Sequence, residues 1–75
     1  MNESENQAKV LEFVLFCVEM YAQDRELSGR IVMDKFSEFG VIDFLRAGYE
    51  VLHTQSKEYV LSEIDLFLKN RGFSV

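Results

Sequence analysis

Residues 10–22 read VLEFVLFCVEMYA, and only Glu12 and Glu19 in that run are polar. At about 100° per residue, the apolar side chains of this segment sweep roughly 220° of a helix, where an ordinary surface helix needs a stripe of about 100°. The polar remainder is a thin strip of Glu5, Lys9, Glu12, Glu19 and Gln23, with Phe16 lodged inside it. A helix patterned this way must be enclosed, by the rest of its own domain or by another chain. The residues thus define a soluble helical domain, and no comparably sharp motif points to a reaction.

Seventy-five residues correspond to one domain, 1–75. A core this small rarely supplies more than about 3–5 kcal/mol without a staple. One cysteine rules out an internal disulfide, and one histidine with one cysteine cannot furnish the four ligands of a structural zinc site. Close packing or a partner chain is left to supply the difference, and 48% apolar residues with seven Phe suit both.

The formal charge is −5, concentrated at the front of the chain. Residues 1–27 hold six acids against Lys9 and Arg25, a local −4. Phosphate backbones and anionic membranes call for clustered Lys and Arg, which are missing, so both are disfavoured as partners. The apolar run is shorter than the ~20 residues of a membrane span, and the acidic Met1–Gln7 lead is unlike a signal peptide. A cytoplasmic chain is expected.

There is no proline, so breaks are read from Gly, Ser and polar clusters. The pattern predicts an all-α bundle of four helices, over about 5–23, 29–39, 41–53 and 57–71, with the first the most buried. Ser4 and Gln7 have capping-box form, Glu5 and Lys9 are spaced as an ion pair, and Ser28 and Ser56 are placed to cap the second and fourth helices. Gly40 is a natural left-handed stop, and Gly72 another. Gly48 falls on the inward face of the third helix, where a missing side chain would admit a neighbour. In the fourth helix Val60, Leu61, Ile64, Phe67 and Leu68 face inward, with Glu58, Ser62, Asp65 and Lys69 opposite.

Few side chains could carry chemistry. Cys17 lies amid apolar residues without a cation to stabilise its thiolate, so it reads as core. The carboxylate pairs Glu12/Glu19 and Glu58/Asp65 fall on solvent faces, away from any desolvating pocket. His53 could be a base or a partner contact, or it could satisfy carbonyls at the end of its helix, and the second role needs less from its neighbours. Phosphate loops, nucleophile elbows and metal-binding helix motifs are absent, and neither a metal nor a cofactor is expected. The second helix, Gly40 and the third helix have a helix-turn-helix outline. The exposed face of the third, however, offers Asp43, Arg46, Ala47 and Glu50, half of it acidic.

Directional side chains are densest from Tyr49 to Tyr59, and Tyr and His have the amphipathic profile of interface residues. Tyr49, His53, Gln55 and Tyr59 are therefore the candidate contact residues, and Phe16 on the first helix is the other candidate. Phe16, Ile31 and Leu66 leave apolar area that a second copy of the chain could cover.

The chain also resembles a known family. Phe13–Cys17 with Glu19, then Gly40-Val41-Ile42-Asp43, Tyr49, Val51-Leu52-His53-Thr54-Gln55, Tyr59-Val60 and Ile64-Asp65 are similar to a family of short bacterial proteins classed as a domain of unknown function. Leu52-His53-Thr54-Gln55 is the most specific element, and Ser56 departs from a glycine common after the Gln. The resemblance spans residues 10–72. It implies genes often placed beside an ADP-ribosyltransferase-like protein, and hence a binding role as antitoxin or accessory subunit. The expectation is a non-enzymatic module with a protein partner. The alternative is a small DNA-binding regulator.

Overall fold

A computed structural model describes residues 3–72. All of its regular structure is helical: α1 (Glu3–Arg25), α2 (Gly29–Phe39), α3 (Val41–Ala47), α4 (Tyr49–Leu52) and α5 (Lys57–Asn70). The all-α bundle expected from the sequence is therefore present, with five helical segments where four were expected. α1 packs on α2 and α3, and α3 packs on α5.

The extra break is at Gly48. Its backbone (φ −94°, ψ 7°) leaves the helical region, and the turn is held by Gly48 N–H donating to the Phe44 carbonyl at 3.0 Å. A Cβ at this position would stand 2.9 Å from Leu52 Cδ1 and 3.3 Å from the Phe44 carbonyl oxygen. Glycine is thus required by the next turn of its own chain, rather than by the approach of a neighbouring helix.

Side-chain caps set the starts of α2 and α5. Ser28 Oγ accepts from Ile31 N–H, and Ser56 Oγ from Tyr59 N–H, each at 3.1 Å. Gly40 ends α2 in the left-handed region at φ 80°, its N–H returning to the Phe36 carbonyl. At the far end of α1 the same geometry is taken without glycine. Glu26 has φ 56°, Leu27 N–H donates to the Ala22 carbonyl at 2.9 Å, and Glu26 N–H donates to Gln23 at 3.3 Å. Those two bonds form a Schellman turn. Ser4 is already inside α1, so it is not the N-cap residue; its side chain lies outside the described residues. Glu5 and Lys9 form no ion pair; Arg25 with Asp24 and Asp65, and Lys35 with Glu38, are the pairs seen among the described residues.

The core is drawn from α1 (Val14, Cys17, Val18, Met20, Tyr21, Ala22), α2 (Val32, Phe36), α3 (Val41, Leu45), α4 (Leu52) and α5 (Val60, Leu61, Ile64, Leu68). Phe44 stacks on Phe67 with ring centroids 4.5 Å apart, and Arg71 lies over Phe67 at 4.4 Å, joining α3 to α5. α1 contributes most to this core but is not enclosed by it, because Leu11 is 58% and Leu15 48% exposed. The reason is length. At 1.5 Å per residue the 23-residue α1 runs about 35 Å, most of the 39 Å long axis, and the shorter helices cannot cover it.

Polar side chains also join the helices. Tyr21, 2% exposed, donates its hydroxyl to Asp65 Oδ1 at 3.1 Å, and Arg25 bonds the other Asp65 oxygen and lies over the Tyr21 ring. Asp65 is half-buried and faces α1, a correction to its expected place on the solvent side of the last helix. No described helix is long and apolar enough to cross a membrane.

Candidate functional site

Leu52, the last residue of α4, is buried, and the chain turns through His53, Thr54 and Gln55 before Ser56 caps α5. This corner is tied to itself: His53 Nδ1 lies 2.6 Å from the Tyr49 carbonyl oxygen, and Thr54 Oγ1 donates to the Val51 carbonyl at 2.8 Å. A carbonyl only accepts, so Nδ1 carries the proton and Nε2 is left for another partner. The His53 ring stacks on Tyr49 at 4.3 Å and 8°, and Tyr49 meets Phe13 edge-on at 5.6 Å. His53 therefore does satisfy a carbonyl at its helix end, while its ring stays exposed. Tyr49 is half-buried, wedged between Phe13 of α1 and His53.

Between this corner and α1 lies a groove of about 410 Å³. Glu12, Phe13, Phe16 and Met20 of α1 form one wall. Leu52, His53 and Gln55 at the corner, with Lys57 and Val60 of α5, form the other. Phe16, 58% exposed, sits on its edge. Glu19 and Gln23 extend the depression along α1 beside Phe16 and Lys57. On its other side His53 lines a smaller depression, of about 200 Å³, with Glu5, Asn6, Lys9, Tyr49 and Glu50.

Phe16, His53 and Gln55, which come from two regions expected to act separately, thus share one groove. Tyr49 adjoins it through the His53 stack. Tyr59 lines neither depression; it is 42% exposed in the first turn of α5. Met20 and Lys57 belong to the groove and were not singled out by sequence. Met20 reads as core from its period, and Lys57 as an ordinary first-turn residue. A further cleft of about 650 Å³ runs between α1 and α3, lined by Asn6, Gln7, Val10, Leu11, Val14, Ile42, Arg46 and Ala47. None of the candidate contact residues lies there.

The ionisable side chains lining the groove are Glu12, His53 and Lys57. Among the described residues no group of three His, Cys, Asp or Glu could hold a metal ion. Cys17 is fully enclosed, and burial pushes its thiol up to about 12, far from a reactive thiolate. What the groove offers is an apolar floor with hydrogen-bonding groups and charges at its rim, features that suit binding.

Fold and surface together define a small helical domain with an amphipathic groove at a helix corner. The chain belongs to a family of proteins of unknown function (DUF3791), whose model matches residues 12–71. That match takes in the groove, the corner and the whole of α2 to α5. No curated protein and no solved structure matches the chain.

Proposed function

We propose that this chain is a non-enzymatic protein-interaction module, acting as the antitoxin or accessory partner of an ADP-ribosyltransferase-like toxin. The observation that supports binding is the groove itself: Phe16 stands 58% exposed where α1 meets the His53–Gln55 corner. Large exposed aromatics beside hydrogen-bonding rims are the usual anchors of protein interfaces. The kind of partner rests on the family resemblance, which implies such a gene neighbour.

The test is coexpression with the ADP-ribosyltransferase-like neighbour and measurement of complex formation by size-exclusion chromatography. A stoichiometric complex is expected, weakened at least about tenfold by Phe16→Ala or His53→Ala, since truncating a central anchor costs about 2 kcal/mol or more. Absence of a complex with folded proteins overturns the reading. The rival, a small DNA-binding regulator of helix-turn-helix type, has less to stand on, because Asp43, Arg46 and Ala47 are what α3 exposes. A DNA shift at low salt that vanishes as salt rises would favour the rival instead.

A further inference from the structure

Resting on the protein-binding reading, we infer that the groove takes an amphipathic helix of the partner, its apolar stripe seated against Phe16 and its α1-facing flank carrying lysine or arginine. The apolar lining sets the apolar requirement: buried Met20, Leu52 and Val60 and half-buried Phe13 line the groove together with Phe16. The rim sets the charge. Glu12, four residues before Phe16, and Glu19, three after it, are both exposed, and neither is in an ion pair among the described residues.

A helical occupant suits the shape of the surface. Lys9, Glu12, Phe16, Glu19 and Gln23 are all exposed and form one straight ridge along α1, against which a second helix can lie lengthwise. A helix satisfies its own backbone groups and needs only side-chain complementarity from such a surface. On the facing wall Lys57, also exposed and without an ion pair among the described residues, provides for one acidic residue on the partner's other flank.

A second copy is a poorer occupant. In a two-fold pairing of α1 ridges about Phe16, Glu12 of one copy falls beside Glu19 of the other, setting like charges together. A basic flank converts both carboxylates from mutual repulsion into attraction.

The probe is a synthetic helical peptide of about twenty residues, roughly 30 Å long, with a leucine stripe bordered by lysines, and its twin bordered by glutamates. Affinities are measured by fluorescence anisotropy against the full chain. The lysine peptide should bind at least about tenfold more tightly than its twin. Phe16→Ala should remove that binding, and Glu12→Lys with Glu19→Lys should invert the preference. The same charge change placed on α2, Asp34→Lys with Glu38→Lys, should leave the preference in place. Equal affinity for the two peptides, no binding of either, or binding indifferent to Phe16 overturns the inference. So does a parent dimer in sedimentation that Phe16→Ala dissolves, which would make the second copy the occupant. A Phe16-dependent complex with the toxin-like protein that lacks a basic helix overturns this inference and leaves the protein-binding reading standing.

Discussion

The Tyr21 hydroxyl and the Asp65 carboxylate meet at 3.1 Å across 44 residues of chain, binding the longest helix to the last. Arg25 completes the arrangement from one turn further along α1. Asp65→Ala leaves both donors without their acceptor, and a deprived, partly buried donor costs about 1–3 kcal/mol. Urea unfolding should show that loss. The double variant with Tyr21→Phe should cost less than the sum of the singles, because each removes the same bond.

Alkaline pH should expose the same region. Burial, with Asp65 beside it, pushes the Tyr21 hydroxyl from 10.0 up to about 12, and burial pushes the Cys17 thiol from 9.0 up to about 12. Both are neutral when protonated, so the folded chain holds these protons more tightly than the unfolded one. Their contribution to stability is whole below pH 9, shrinks as pH rises through the window from 9 to 12, and is gone above it. Thermal melts across that range should show the decline, and Tyr21→Phe should make it shallower.

Glu26 takes the left-handed position of a Schellman turn that glycine fills more easily. Its side chain is exposed and in no ion pair among the described residues. Glu26→Gly should therefore raise stability by up to about 1 kcal/mol, the approximate cost of left-handed backbone for a residue with a Cβ. Chemical denaturation measures it directly. A neutral or destabilising result would mean that the carboxylate contributes something this geometry does not explain.

Gly48→Ala sets two effects against each other. Alanine favours continuous helix by about 1 kcal/mol, but its Cβ would stand 2.9 Å from Leu52 Cδ1, and Leu52 is packed in the core. Overpacking of this kind costs about 1–3 kcal/mol, so a net loss is expected. Combining it with Leu52→Ala should cost less than the two singles added together, because the contact responsible is then absent.

Much of this was legible before any coordinates. Ser28, Gly40 and Ser56 announced the ends of α2 and α5 because a cap or a left-handed turn depends on one residue and its immediate neighbours. Val60, Leu61, Ile64 and Leu68 declared the inward face of α5 by their period. What failed depended on distant parts of the chain. Leu11 and Leu15 belong to the apolar arc but stay exposed, since how far α2 and α3 extend along α1 is not written in the pattern of α1. Asp65 lies only about 40° around its helix from Leu61, and whether such an edge residue meets solvent or a tyrosine is decided 44 residues away. The groove was half visible. Phe16 and His53 were each conspicuous, but only the packing of the corner onto α1 unites them.

The reach of α1 beyond its neighbours has a consequence for motion. Glu5, Gln7, Ala8 and Lys9 are exposed, while Val14 to Ala22 contribute the helix's buried side chains. The opening turns are thus held mainly by their own backbone bonds, and the later ones by the whole core. Amide hydrogens of Glu5 to Lys9 should exchange with solvent through fraying alone, whereas those of Val18 to Ala22 should wait for global unfolding. One continuous helix would then record two opening energies. Phe16 lies within the stretch held by the core, so its place beside the groove should persist while the opening turns fray.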